Sequence, residues 1–413
     1  MSLASSSSVG ITYMPEATFG LTPVSGAVRR LRITGETFDY AITKAESAEI
    51  NSTRTISSVV PVDASATGGI SGEISYREWD VLMAATLQST FSAYGVNSVS
   101  ATFSSTAGGI AALSITAAVA PTAASAFTNL KKGQWIRVVA PGDTDNNGKI
   151  VKLSSTVAPT TTVLTLDAGT PMTLNAGTVA LMTVASSRLT HGTTQTSFSI
   201  ERELPDVSPA QYFAYKGMTP SKMTMQESSG ALSSIGFDFM GKNAVRAATT
   251  SMLPAVITDS FSHEIHSGVA GATVVIWEGG GPLAGTFVKS LKMDFDNSLR
   301  VQNGIGTLGA VGIGSGTIKL TGELEVYLAD GALYDKFVNN TNSSIVFSSV
   351  DVDGNGYIIS LPKINFTTLK TNASGKDQDM MLNISFTALR DNANADVALQ
   401  KAIFIDRVGT ATA

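Results

Sequence analysis

Gly69-Ile70-Ser71-Gly72-Glu73-Ile74 runs through Tyr76 into Trp79-Asp80-Val81-Leu82-Met83, and the same order returns late in the chain. There Ile318 precedes Gly322-Glu323-Leu324, which leads through Val326 and Tyr327 into Asp330-Gly331-Ala332-Leu333-Tyr334. Upstream, Val28-Arg29-Arg30-Leu31-Arg32-Ile33 has a counterpart in Val288-Lys289-Ser290-Leu291-Lys292-Met293. Downstream, Pro220-Ser221-Lys222-Met223-Thr224-Met225 is mirrored by Pro362-Lys363-Ile364-Asn365-Phe366. Ile235-Gly236-Phe237-Asp238-Phe239 and Ile384-Ser385-Phe386 close the two series. Landmarks matched in one order mark a duplicated structural unit.

Alternation with period two makes these segments strands: Leu291, Met293 and Phe295 fall on one face, Lys292 and Asp294 on the other. Residues 78–91 and 329–338 are the helix candidates, with Leu, Met or aromatic residues three and four apart. The expected fold is mainly β, with two tandem sandwich or barrel modules, each carrying one flanking helix.

The copies differ in one place. Gly322 lies about 42 residues before Ile364, whereas Gly72 lies about 151 before Met223, a surplus of about 110. The surplus predicts an inserted small all-β domain at 94–187, between 1–93 and 188–250 of the first module, with the second module at 251–413. Within it, Leu130 to Val139 reads as a turn and a strand, Asp145-Asn146-Asn147-Gly148 as a turn, and Thr161 to Asp167 as another strand. A domain inserted at an exposed helix-to-strand connection leaves its host core undisturbed.

Composition agrees with a β-rich chain, since charged residues make up only 15% and small residues dominate. The absence of cysteine excludes disulfides, thiolate metal sites and cysteine nucleophiles. Net charge is −5, and Arg29-Arg30 and Lys131-Lys132 are isolated pairs, so the clustered cations needed to grip phosphates are missing. The start of the chain lacks the basic and apolar regions of a signal peptide. The charge-free stretch Ser92 to Leu130 is broken by Gly108-Gly109 and Pro121 and is too interrupted for a membrane span. Cytoplasmic synthesis and no membrane partner are expected.

Thr18-Phe19-Gly20-Leu21-Thr22-Pro23, the Gly72-Glu73 segment, Phe237-Asp238-Phe239-Met240-Gly241, and Phe287 to Tyr334 with Asn303 to Gly306 together resemble the major tail tube proteins of long-tailed, siphophage-type bacteriophages. The likeness covers nearly the whole chain outside the insert. It implies tube domains arranged six to a ring, rings stacked into a hollow tail, and double-stranded DNA passing through the lumen without tight binding. It also implies a tape measure protein and a tail terminator as partners, and a virion tail assembled in the host bacterial cytoplasm. Two modules per chain lead to the expectation of a trimeric ring with pseudo-sixfold symmetry. A mildly acidic chain suits a lumen that repels phosphate.

The segment Ala41 to Gly68, bearing Lys44, Glu46, Glu49, Arg54 and Asp63, is too long for an ordinary connection. These five residues are the candidate subunit-interface residues, on a loop or hairpin reaching the next ring, and Asp296 to Ser315 is its shorter match. The tails Met1 to Gly10 and Gly409 to Ala413 are small and polar, and order in the first is expected only after assembly.

Several segments imitate chemistry. Gly304-Ile305-Gly306-Thr307-Leu308-Gly309 matches a dinucleotide fingerprint by letters, but Gly312, Gly314 and Gly316 leave no room for the required helix. Asp143 to Gly148 and Asp351 to Gly356 imitate calcium loops, yet their twelfth positions are Ser154 and Pro362; turns are the favoured reading and a weak peripheral calcium site the other. His263-Glu264-Ile265-His266 spaces its histidines wrongly for a zinc protease. No nucleophile elbow joins a strand to a helix. Neither a catalytic residue, a cofactor nor a metal site is therefore expected. Trp135 and Trp277 suggest carbohydrate binding if exposed and core if not. Besides the tail tube, the remaining readings are a tube of a contractile injection or gene-transfer particle and an adhesion protein.

Overall fold

The computed structural model describes all residues except 1–3, 93–98, 106–112, 118–126, 168–171, 173–174, 255–256, 269–275, 284–286, 373–374, 378 and 410–413. The C-terminal tail beyond Gly409 and the first residues of the N-terminal one thus lie outside the described residues. The chain is mainly β. It begins with β1 (Gly10–Pro15), β2 (Val28–Arg30), β3 (Gly35–Glu36), β4 (Asp39–Glu46) and β5 (Val59–Glu73), followed by helix α1 (Asp80–Thr86). A second group follows: β6 (Val99–Ser105), β7 (Leu113–Ala117), β8 (Trp135–Val139), β9 (Ile150–Lys152), β10 (Val163–Thr165) and β11 (Asn175–Ala185). Next come β12 (Ser187–Thr190), β13 (Phe198–Leu204), β14 (Gln211–Ser228), β15 (Ser234–Gly241) and β16 (Asn243–Ala248). The last part opens with β17 (Ile257–Thr258), β18 (Ile276–Glu278), β19 (Gly281–Pro282), β20 (Val288–Asp296), β21 (Arg300–Asn303), β22 (Ala310–Gly314) and β23 (Lys319–Tyr327). It ends with α2 (Ala332–Val338), β24 (Ser343–Val350), β25 (Gly356–Asn372), β26 (Met381–Ala388) and β27 (Phe404–Val408).

Two strand sets pair in the same pattern. In the first, β14 is long and serves two sheets: its first half pairs with β13 and β16, its second half with β15, and β15 pairs with β5. In the second, β25 does the same, with β24 and β27, then β26, which pairs with β23. The registers correspond. Gln211 lies opposite Ala248 as Gly356 lies opposite Val408, and Gly72 opposite Ile235 as Gly322 opposite Phe386. In each set the apolar faces of the two sheets share one core, which includes Tyr13, Phe198, Trp79 and Phe237 in the first and Phe347, Ile359, Leu324 and Phe386 in the second.

Gly72 and Gly322 show why the two short motifs match. A side chain on Gly72 would meet the Arg32 carbonyl at 2.9 Å and the Trp79 ring; one on Gly322 would meet the Lys292 carbonyl at 2.7 Å and the Phe386 ring. Arg32 and Lys292 are the same position of the duplicated unit, and each glycine lets an aromatic ring lie on the strand.

The helices are shorter than their sequence patterns suggest. Thr86 and Leu87 end α1 because the chain turns at Gln88, whose φ is 52°. Of the two forms the pattern allowed, sandwich and barrel, the sheets stay open: among the described residues β3 pairs only with β5, and β25 beyond Ile364 only with β26. Strands β6 to β11 form a separate six-stranded sheet in the order β10-β7-β6-β11-β8-β9, over its own core of residues such as Ile115, Phe127, Ile136, Val151 and Leu164.

Candidate assembly surfaces

The second half of β14 has a strand on each side. Opposite β15 lies β20 of the second set, in the register Met223↔Phe295, Met225↔Met293 and Glu227↔Leu291. One sheet therefore runs β3-β5-β15-β14-β20-β23-β26-β25 through both sets. Its core face carries Ile70, Phe237, Met225, Met293, Leu324, Ile384 and Phe366, all buried. Alternation puts polar side chains on the other face, with Asp238, Asp294, Asp296, Glu323 and Glu325 among Lys222, Lys292, Lys319 and Lys370. Lys292 lies 3.1 Å from Asp294 and Lys222 3.7 Å from Asp296, so the cations are interleaved with carboxylates.

Helix α1 is clamped at this junction. Tyr357 donates to Asp80 Oδ1 at 2.6 Å, Arg407 pairs with Asp80 Oδ2, and the Asn297 side-chain amide donates to the Thr86 carbonyl at 2.6 Å. Tyr357 is wholly buried, and the loss of water together with the Asp80 charge and hydrogen bond holds its phenol well above the ordinary range. His266 belongs to the same region. It is buried, shares a hydrogen bond of 2.9 Å with Ser349, and is pushed down to about 4 by burial first and by His263 second. Glu227, bonded to Ser233, is raised, chiefly by burial.

The six-stranded sheet is fastened to the second set. Arg188 on β12 holds Asp406 on β27 through two bonds of 2.7 Å, with both side chains nearly dry, and Asp406 also accepts the Trp135 amide at 3.0 Å. Bidentate geometry and the extra donor compensate the desolvated charges.

Segment 41–68 is a hairpin, β4 with β5, and the five candidate residues all lie on it. Lys44 sits opposite Pro61, Glu46 opposite Val59, and Asp63 opposite Thr43, while Glu49 and Arg54 lie in the 47–58 tip, where Arg54 has φ 56°. Lys44, Glu46, Glu49 and Arg54 are exposed; Asp63 is half-buried and accepts the Ala64 amide. None of the five forms an ion pair within the described residues. Charge drew attention to this arm, but its larger feature is apolar: Ile50, Ile56, Val59, Val60 and Val62 are all more than half exposed. The run Val59-Val60-Pro61-Val62 was the available signal. The matching hairpin, β21 with β22, likewise exposes Val301, Ile305, Leu308 and Val311.

The imitations of chemistry resolve as structure. Gly304 to Gly309 is the tip of the β21–β22 hairpin, with Gly306 and Gly309 at positive φ. In both acidic loops the aspartate is occupied by its own turn: Asp143 accepts the Asp145 and Asn146 amides, Asp351 those of Asp353 and Asn355. Arg137 stands between the loops, bonded to Asn355 at 3.0 Å. No cluster of metal-binding side chains occurs among the described residues. Trp135 and Trp277 are buried against each other, edge to face at 5.2 Å, so neither presents a ring to a sugar. No helix among the described residues is long and apolar enough to cross a membrane.

A duplicated β unit joined edge to edge, with apolar arms, is a design for assembly. Residues 6–388 match the family model described as phage tail tube protein. The chain belongs to that family. A comparison with curated proteins finds no match. Membership makes this tail tube protein a structural component of the viral tail, and self-assembly into a tube is the family's role.

Proposed function

We propose that the chain forms the tail tube of a long-tailed, siphophage-type phage, three copies closing each pseudo-sixfold ring and rings stacking into the conduit for DNA ejection. The modules are 1–93 with 188–250, and 251–413; 94–187 is a domain inserted on the outside. The observation that carries this reading is the β14–β20 junction, which joins two like units while leaving a like edge open at each end of the sheet. Repeating that junction between chains continues the sheet until it closes, which removes every open edge.

Size favours three copies over two. Three eight-stranded sheets at about 4.8 Å per strand give a circumference of about 115 Å and a backbone diameter of about 37 Å before tilt widens it. Two copies give about 24 Å, which side chains from opposite walls would largely fill. The polar face then lines the bore. Its interleaved charges, with carboxylates in slight excess, offer DNA no uncompensated cationic track. The hairpins at 39–73 and 300–314 are the contacts between rings, with Lys44, Glu46, Glu49, Arg54 and Asp63 on the longer one. A tape measure protein and a tail terminator are the remaining partners, and assembly takes place in the host cytoplasm. Rotational averaging of assembled tubes tests the reading: three inserted domains per ring are expected, and six per ring or solitary chains would refute it.

A further inference from the structure

The two copies of the unit are buried unequally, and the difference marks a surface. The second half of β25 corresponds to that of β14: Ile364 and Phe366 face Ala388 and Phe386 as Met223 and Met225 face Phe237 and Ile235. Yet β14 has β20 on its other side, and beyond Ile364, which faces Ser343 of β24, β25 has no strand there among the described residues. The segment equivalent to β20 is 31–36, where Met293 is buried but its counterpart Ile33 is only partly so. The helices repeat the contrast independently. On α1, Leu82, Met83, Ala85 and Thr86 are buried, and the second set holds its two ends at Asp80 and Thr86, whereas on α2 only Leu333 is buried, and Tyr334 and Val338 are 48% and 59% exposed.

Resting on the ring reading above, we infer that β25 and the outer face of α2 receive a second copy of this chain in a defined register. The β14–β20 junction supplies the template. Gln226↔Lys292 becomes Thr368 opposite Arg32 of the partner subunit, and Met225↔Met293 becomes Phe366 opposite Ile33 of the partner subunit. The strand carrying Tyr357 covers α1; its equivalent is the start of β14, so α2 is covered by the region around Tyr212 of the partner subunit. Tyr212 is partly exposed in the single chain, whereas Tyr357 is buried.

The chain has no cysteine, so paired cysteines report this register cleanly. Thr368→Cys with Arg32→Cys, oxidised in assembled tubes, is expected to give covalent products of two and three chains, while either single variant gives none. Gln226→Cys with Lys292→Cys closes the same geometry within one chain and serves as the internal standard. Tubes in which the standard closes but the intermolecular pair does not would overturn the register while leaving the tube reading intact. Failure of the unaltered chain to form any ring or tube would overturn the reading itself. Tyr334→Glu tests the helix without depending on cysteine. The residue is exposed in the single chain, so its melting temperature should be unchanged while the concentration needed for assembly rises at least tenfold. Unchanged assembly would remove α2 from the interface.

Discussion

Helices α1 and α2 follow the same strand of the same unit, yet one is core and the other surface. The difference lies outside both helices, in what stands beside them: α1 meets Tyr357, Arg407 and Asn297 of the second set, and α2 meets nothing equivalent among the described residues. A repeated unit acquires its interior from its neighbour, and the last unit of a chain is left with an exposed copy of that interior.

The largest test of this contrast is at the aspartates that begin the two helical segments. Asp80 is a nearly buried carboxylate holding Tyr357 and Arg407, whereas Asp330 is exposed and only accepts the Ala332 amide at 2.9 Å. Asp80→Ala should cost about 3–5 kcal/mol by stranding buried partners, and Asp330→Ala about 1 kcal/mol or less, as for a lost cap. Equal losses in denaturant unfolding of the single chain would break the comparison.

The junction should also respond to acid. His266 is neutral and buried in the folded chain, with its proton affinity lowered to about 4, while in the unfolded chain it titrates near 6.5. Between those values the unfolded state binds a proton that the folded state refuses, so stability falls as pH drops from 6.5 to 4, by up to about 3 kcal/mol. Glu227 acts in the opposite sense, since its raised affinity means its contribution is present at low pH and lost as pH rises above the ordinary carboxylate value. Melting across pH 4–7 should flatten in His266→Gln; an unchanged slope would exclude this histidine as the source.

The strands and the duplication were legible because alternation and recurring glycine landmarks act locally. Leu291, Met293 and Phe295 announce a buried face, and Gly72 and Gly322 recur as landmarks whose reason, a ring lying on each strand, only the structure supplies. The joining of the two sets was not legible, because Met225 reads the same whether its edge meets Met293 or solvent. Nor was the second role of Asp80: one acid at the start of a helix reads as a cap, and only the fold brings Tyr357 and Arg407 to it. The five charged residues of the long hairpin were visible, while its exposed valines were hidden by the expectation that such residues are core.

The glycines test the duplication itself. Gly72→Ala and Gly322→Ala each place a methyl against a carbonyl and an aromatic ring, and overpacking of that kind costs about 1–3 kcal/mol. If the two positions are equivalent, their losses should agree within about 0.5 kcal/mol and add in the double variant. A large loss at one and none at the other would mean that the rings, Trp79 and Phe386, occupy their strands for unrelated reasons.

The smallest effect on stability is expected on the polar sheet face, where it separates folding from function. Lys292 and Asp294 are about 40% exposed, and surface pairs of this kind contribute about 0–1 kcal/mol. Asp294→Asn with Glu323→Gln should therefore leave melting nearly unchanged, while freeing Lys292 of its carboxylate neighbours in every copy. Each phosphate contact so created steepens the salt dependence of DNA binding by about 0.9 in logarithmic slope. Tubes of the double variant should retain duplex DNA at low salt and release it as salt rises, whereas unaltered tubes should show neither behaviour. The same substitutions on a face turned to the outside would still bind DNA, but that DNA would remain open to nuclease. Protection from nuclease therefore decides whether this face lines the channel. Its loss on opening the tubes would show that the channel, rather than the outer wall, had held the duplex.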